Sequence, residues 1–197
     1  AWLIVMYRFP GKAVFEWALL LPLAVPTYVI AYAYTDFLQF AGPVQSALRG
    51  WFEWGRNDYW FPEVRSPGGA ILLMTLVLYP YVYLLGRAAF MEQSVCVLEV
   101  GRTLGRSPLR LFLGVGIPLA RPAIVGGVAL ALMETLNDFG AVQFFGVDTF
   151  TTGIYRTWFG LGEQVAAAQL AACLLSLIVL LVVLERWSRG RARYFHT

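Results

Sequence analysis

VAAAQLAACLLSLIVLLVVL, residues 165–184, is a run of 20 residues without a charge, framed by Glu163 and Glu185. A helix that crosses the hydrocarbon core of a bilayer needs about 20 mainly apolar residues, so this stretch predicts a membrane span. Working outward, three further stretches pass the same test. Residues 17–35 run uncharged between Glu16 and Asp36, and residues 67–86 between Arg65 and Arg87. Residues 122–145 stay uncharged as far as Glu134 and then continue apolar with polar interruptions. Residues 1–7, AWLIVMY, read as the last turns of another span, and with Ala rather than Met at position 1 the amino end is expected to be truncated.

Composition agrees. Of the 197 residues 59% are hydrophobic, 14% charged and 16% aromatic, and the mean hydropathy is +0.64. Soluble domains carry nearer a quarter of charged residues, and a chain this short cannot bury so much apolar surface in one water-shielded core. The surplus is expected to face lipid, which predicts an all-α polytopic membrane protein. Arginines lie between apolar runs rather than on one continuous face, so nucleic-acid binding is not expected. Cys96 and Cys173 are far apart in sequence and lack a CxxC partner, and the lone His196 sits in the tail; neither disulfide nor metal chemistry is expected.

Arg and Lys collect on the cytoplasmic side of membrane proteins. If the first complete span leaves the cytoplasm, the inside holds Arg8, Lys12, Arg87, Arg102, Arg106, Arg110, Arg121, Arg186, Arg189, Arg191 and Arg193. The outside keeps only Arg49, Arg56, Arg65 and Arg156, a division of 11 against 4 that places the carboxyl tail in the cytoplasm. Pro22, Pro26 and Pro80 fall inside spans, where a missing donor kinks a helix. In the outer connection, residues 39–67, Trp51, Phe52, Trp54, Tyr59, Trp60 and Phe61 suit the headgroup level.

The connection between Arg87 and Pro122 is too polar to span. Residues 91–104 read as one helix, Gly105 as its left-handed stop, Ser107 as an N-cap and Pro108 as the first residue of a second helix, expected to end near Gly116 before Pro118. The prediction is a helix–turn–helix elbow outside the bilayer.

Glu99-Val100-Gly101, three residues, Gly105, nine residues and then Val115-Gly116-Ile117-Pro118 resembles the EAA loop of binding-protein-dependent ABC importer permeases, the MetI-like transmembrane domain. The family pattern is E-A-A, three residues, G, nine residues, I-x-L-P. Val100 and Gly101 replace the two alanines, Val115 the isoleucine and Ile117 the leucine. In that family the loop forms the coupling helix that docks in a groove of the ATPase subunit, so the resemblance implies that Glu99, Val100, Gly101, Gly105, Val115, Ile117 and Pro118 couple to an ATPase. An ordinary amphipathic loop, with Glu99 paired to Arg102 three residues on, is the alternative. Arg8-Phe9-Pro10-Gly11-Lys12 resembles the inner turn of such permeases. ETLNDFGAVQFFGVDTFTTGIYRTW from Glu134, and the ending ERWSRGRARYFHT, resemble the amino-terminal half of ferric iron importer permeases and the linker to their second half. Thiamine importer permeases share much of the pattern.

That resemblance implies a permease domain over residues 1–187 and a basic cytoplasmic linker over 188–197, in a multi-pass protein of the bacterial inner membrane. It implies as partners an ABC ATPase dimer, an extracytoplasmic solute-binding protein, a second permease half and membrane lipid. No cofactor is expected on this chain. Nothing in it resembles a P-loop, so ATP and Mg belong to the separate ATPase subunit. A membrane enzyme would need a paired nucleophile and base or a cluster such as HExxH, and none is present. A passive channel is the remaining rival.

Glu134 and Asp138 are four apart, which on a helix places them on one face with Asn137 beside them. Counted from Ala120 at about 1.5 Å per residue, Glu134 lies roughly 21 Å up, in the outer part of the membrane. Carboxylates at that depth are costly unless they face water, a cation or a partner. Two readings stay open: Glu134, Asn137 and Asp138 line a translocation path for a hard cation such as ferric iron, or they hold the outer loop and Arg156 in place. Ala123, Gly127 and Ala131 predict a small-residue seam for helix packing.

Overall fold

The computed structural model describes residues 1–55, 58–93, 101, 103 and 105–189, and among these every regular element is helical. In chain order they are α1 (Trp2–Met6), α2 (Lys12–Ala18), a 3₁₀ turn (Leu21–Ala24), α3 (Thr27–Leu38), α4 (Pro43–Phe52) and α5 (Pro67–Glu92). After the inner connection come α6 (Pro108–Leu111), a π-helical turn (Phe112–Gly116), α7 (Ile117–Asn137), α8 (Gly140–Phe144), α9 (Phe150–Tyr155), a second π-helical turn (Arg156–Gly160) and α10 (Gln164–Arg189).

Among the described residues, three helical stretches are long and apolar enough to cross a membrane: Pro67–Glu92, Pro108–Asn137 and Gln164–Trp187. The expected span over residues 17–35 is not one helix. Pro22 lies in the 3₁₀ turn and Pro26 caps α3 in an extended conformation, so two missing donors four residues apart break the run. A fourth span exists only if the broken pair Lys12–Ala24 and Thr27–Phe52 is taken together. Pro80, by contrast, is fully buried inside α5, which runs unbroken past Arg87 to Glu92. The start of the helix expected over 91–104 therefore belongs to α5, and residues 94–100 lie outside the described residues.

The third expected span also moves. It begins earlier than residue 122, because α6, the π turn and α7 follow one another without a gap and make a single apolar stretch of 30 residues, Pro108–Asn137. The second elbow helix was expected to end before Pro118, and it does not. In the π turn the Ile117 N–H reaches back five residues to the Phe112 carbonyl. A turn widened in this way admits a proline ring and its missing donor directly afterwards. At its other end the span stops at Asn137 rather than 145, where Asp138 and Phe139 leave the helix.

The chain forms two compact units. One comprises Ala1–Leu21, Leu78–Glu134 and Leu177–Thr197, the other Pro22–Val77 and Thr135–Ser176. In the first, α2 is tied to α5 by an ion pair of Glu16 with Arg87 and by Tyr83 Oη donating to the Glu16 carbonyl at 3.5 Å. Farther along α5, Gly127 of α7 is buried against the backbone. A Cβ built on Gly127 would lie 2.7 Å from Val82 Cα and 3.1 Å from the Tyr81 carbonyl oxygen. Of the expected seam, Gly127 is buried, with Gly126 and Ala129 buried beside it, while Ala123 and Ala131 are half-buried. In lipid, where apolar burial drives no association, such contact is held by dispersion between closely approaching backbones.

In the second unit, α3 packs on α8, with Gly140 against the Tyr28 side chain and Tyr32 edge-on to Phe144 at 5.8 Å. Helix α4 folds back after Gly42, whose α-carbon faces the Asp36, Phe37 and Gln39 carbonyls too closely for a side chain.

A Gly127→Leu variant should force α5 and α7 apart at a cost of about 1–3 kcal/mol, read as a lower melting temperature of detergent-purified protein. An unchanged melting temperature would mean that the two backbones do not meet at Gly127.

Candidate functional site

The corner between the inner helices is built by short-range chemistry. Gly105 adopts φ +74°, and the Arg106 N–H closes onto the Gly101 carbonyl at 3.1 Å. This six-to-one bond satisfies a carbonyl that the helix end leaves open, and the left-handed residue it requires is costly for any side chain. Ser107 then stands extended, its Oγ accepting from the Arg110 N–H at 3.4 Å, with Pro108 at the first helical position. The local reading of Gly105, Ser107 and Pro108 thus matches the backbone found. Glu99 and Val100, at the head of the motif, lie outside the described residues.

Gly101 is buried, and a Cβ there would run into the side chain of Leu111, itself only 2% exposed. Where the family pattern has alanine, this chain has glycine under a large leucine. Val115 and Ile117 are half-buried, and Pro118 is exposed. On the outer side of the corner Leu109 and Leu113 are 65% and 56% exposed, beside the exposed Arg106 and Arg110. The motif did not mark these two leucines; their spacing of four was the available signal.

Behind the corner lies a cluster that no sequence motif announced. Trp2 packs edge-on to Phe90 at 5.2 Å and against Phe112 at 5.3 Å. Gly116 is buried under the same ring, so that a Cβ would come within 2.7 Å of it, and Gln93 Nε2 donates to the Gly116 carbonyl at 3.1 Å. The residues come from three separated stretches, which is why spacing could not reveal them. The π turn is thereby clamped to the inner end of α5.

The outer carboxylates are not on one helix face. Glu134 is exposed on α7 and Asn137, also exposed, ends that helix. Asp138 has left it. Its Oδ1 accepts from the Ala141 N–H at 2.9 Å and the Val142 N–H at 3.2 Å, and its carbonyl accepts from Thr151 Oγ1 at 2.6 Å. The first turn of α8 has free amide donors, and a carboxylate just ahead of it satisfies two of them; that is the physical reason the i, i+4 geometry fails. Thr149 and Thr152 form a reciprocal capping box on α9. Arg156 pairs with Asp148 at 2.8 Å, both exposed. Among the described residues no cluster of His, Cys, Asp or Glu is arranged to hold a metal.

Residues 1–194 match the family described as the binding-protein-dependent transport system inner membrane component. Among individual relatives, the chain is 32% identical over 197 residues to the Fe(3+)-transport system permease protein FbpB 2 of Haemophilus influenzae, a match that covers 100% of this chain and 34% of the relative. It is 29% identical over 202 residues to the molybdenum transport system permease protein ModB of Escherichia coli K12, covering 98% of this chain and 85% of that protein. A putative 2-aminoethylphosphonate transport system permease protein, PhnU of Salmonella paratyphi A, is 30% identical over 192 residues, with 96% and 64% covered. The chain thus spans about a third of the iron permease and most of the molybdenum permease. With the match running from the first residue to the carboxyl tail, the chain belongs to the family of binding-protein-dependent transport system inner membrane components.

Proposed function

We propose that the chain is a permease unit of an ATP-driven ABC importer and that its cargo is ferric iron. The observation that carries the class is the family match over residues 1–194. Three long apolar helices agree with a membrane subunit, and the absence of a P-loop motif in the sequence leaves ATP and Mg to a separate ATPase dimer. The solute would arrive on an extracytoplasmic binding protein, and a second permease half would complete the path. The carboxyl tail is taken as cytoplasmic from the arginine distribution.

In this reading the corner around Gly105 enters a groove of the ATPase. Leu109 and Leu113 supply apolar contact, and Arg106, Arg110 and Glu99 supply charge. Movement of the groove would pull on the π turn, and through the Trp2–Phe90–Phe112 cluster on the inner end of α5. The cargo reading is supported by the iron permease relative, whose match takes in all of this chain, and by Glu134, an exposed hard-oxygen ligand type. A second reading, an oxyanion such as molybdate, is favoured by the 85% coverage of the molybdenum permease.

Cells carrying the intact system should accumulate radiolabelled ferric iron, and a Glu99→Arg variant of equal membrane expression should lose about tenfold or more of that uptake if Glu99 pairs with a basic group of the ATPase. Molybdate uptake without iron uptake would transfer the cargo to the second reading, and unchanged iron uptake in the variant would remove Glu99 from coupling. A Gly101→Val variant should uncouple in the same assay by displacing Leu111, and co-purification of the ATPase should fall with it. At the outer end, Asp138→Asn keeps an acceptor for the two amides and should preserve both assembly and uptake, whereas Asp138→Ala should lose about 1 kcal/mol of stability. Uptake lost in a correctly assembled Asp138→Asn protein would assign the carboxylate to the translocation path.

A further inference from the structure

Two adjoining cavities in the second unit share one wall, residues 61–64. The first, about 540 Å³, is of mixed character: Thr35, Gln39, Gln45, Tyr59, Glu63 and Arg65 line it together with Phe40 and the shared wall. The second, about 260 Å³, is apolar, lined by Tyr34, Leu38, Trp60, Leu72, Leu73 and Phe145 among others.

The first chamber is a built one. Gln45 is only 6% exposed, with its Nε2 donating to the Leu38 carbonyl at 2.7 Å and its Oε1 accepting from Tyr59 Oη at 2.7 Å. Tyr59 Oη in turn accepts from Arg49 Nη1 at 2.8 Å, and Arg49 is fixed by the Phe40 carbonyl at 2.8 Å and by the Phe40 ring, 4.0 Å from its guanidinium carbon. Within this wired wall one group is left over. Thr35 is 3% exposed, and its hydroxyl has no hydrogen-bond partner among the described residues. A buried hydroxyl without a partner costs stability, so a native site that keeps one has a reason to do so. At the chamber's mouth Glu63 and Arg65 are both exposed and stand two residues apart in sequence, with the Arg65 guanidinium 4.7 Å over the Phe144 ring.

One carboxylate and one guanidinium with no net charge match a zwitterion bearing an ammonium and a phosphate. The apolar chamber on the other side of the shared wall adds room for hydrocarbon. Leu72 on that side is 57% exposed, and Trp51 and Trp60 of the same outer connection are 82% and 85% exposed. Exposed indoles of this kind sit at the level of lipid headgroups. We propose that these paired cavities bind one ethanolamine phospholipid, its headgroup in the chamber of Thr35, Glu63 and Arg65 and an acyl chain along Leu38, Leu72 and Phe145.

This inference rests on the reading of the chain as a membrane permease, so its test reads bound lipid and not transport. The purified transporter is delipidated in detergent, supplied with equimolar palmitoyl-oleoyl phosphatidylethanolamine and phosphatidylglycerol, and weighed by native mass spectrometry. One phosphatidylethanolamine should stay bound per copy of this chain, about tenfold over phosphatidylglycerol, the discrimination expected of one charge-assisted contact. Arg65→Ala and the groove-filling Leu72→Trp, both at exposed positions, should each lower retention about tenfold, while soluble glycerophosphoethanolamine at equal concentration should not displace the lipid. Equal or greater retention of phosphatidylglycerol overturns the proposal, as does retention unchanged in both variants. Displacement by the soluble headgroup overturns it too, since the apolar chamber would then contribute nothing. Lipid retained without iron uptake counts against the cargo alone, and iron uptake without retained lipid counts against the lipid site alone.

Discussion

A backbone amide or carbonyl that enters hydrocarbon has no water to turn to, and each unmet group there costs several kcal/mol. Among the described residues, three departures from regular helix are found beside a local substitute. Where α7 ends, the Asp138 carboxylate and carbonyl collect bonds from Ala141, Val142 and Thr151. Where Pro118 removes a donor, the turn before it is already widened to a five-residue repeat. Where α9 begins, Thr149 and Thr152 exchange bonds. The prolines at 22 and 26 have no such compensation within a single helix, and the helix breaks there.

The same constraint shapes how force could pass through the first unit. Because α6, the π turn and α7 form one stretch, the corner at Gly105 runs without a gap into α7 through the π turn. That turn is held by Gln93 on the Gly116 carbonyl and by the Trp2 ring over Gly116. Farther up the helix, Gly127 keeps α7 in backbone contact with α5. Small residues stand at both contacts, Gly116 under the Trp2 ring and Gly127 against the α5 backbone, because a side chain at either position would hold the two elements apart. A widened turn at such a position is a common accompaniment of function in long helices.

In the second unit the polar groups work mainly on one another. Arg49, Tyr59 and Gln45 form a chain that ends on the Leu38 carbonyl. Asp138 caps, and Arg156 holds Asp148. Thr35, Glu63 and Arg65 are the exceptions that give the cavity beside α3 its chemical character. Polar residues in an apolar chain draw attention as cargo ligands, yet the first demand on them is the bonding of their own backbone.

What the sequence by itself determined is whatever depends on neighbours in the chain. Uncharged runs of sufficient length gave the spans near 67–86 and 165–184, and the order Gly105, Ser107, Pro108 gave the corner, since caps and left-handed turns are settled within a few residues. The motif spacing around Gly101 and Pro118 gave the family. The tertiary structure alone decided where spans begin and end. Pro80 is absorbed and Pro26 is not, Pro118 is passed through, and Asp138 leaves its helix for another one. It alone brought Trp2, Phe90, Phe112 and Gln93 together and set Leu111 over Gly101. Helical periodicity places residues on a face, but which face meets which, and which open amide a carboxylate will reach, depends on contacts between segments that are distant along the chain.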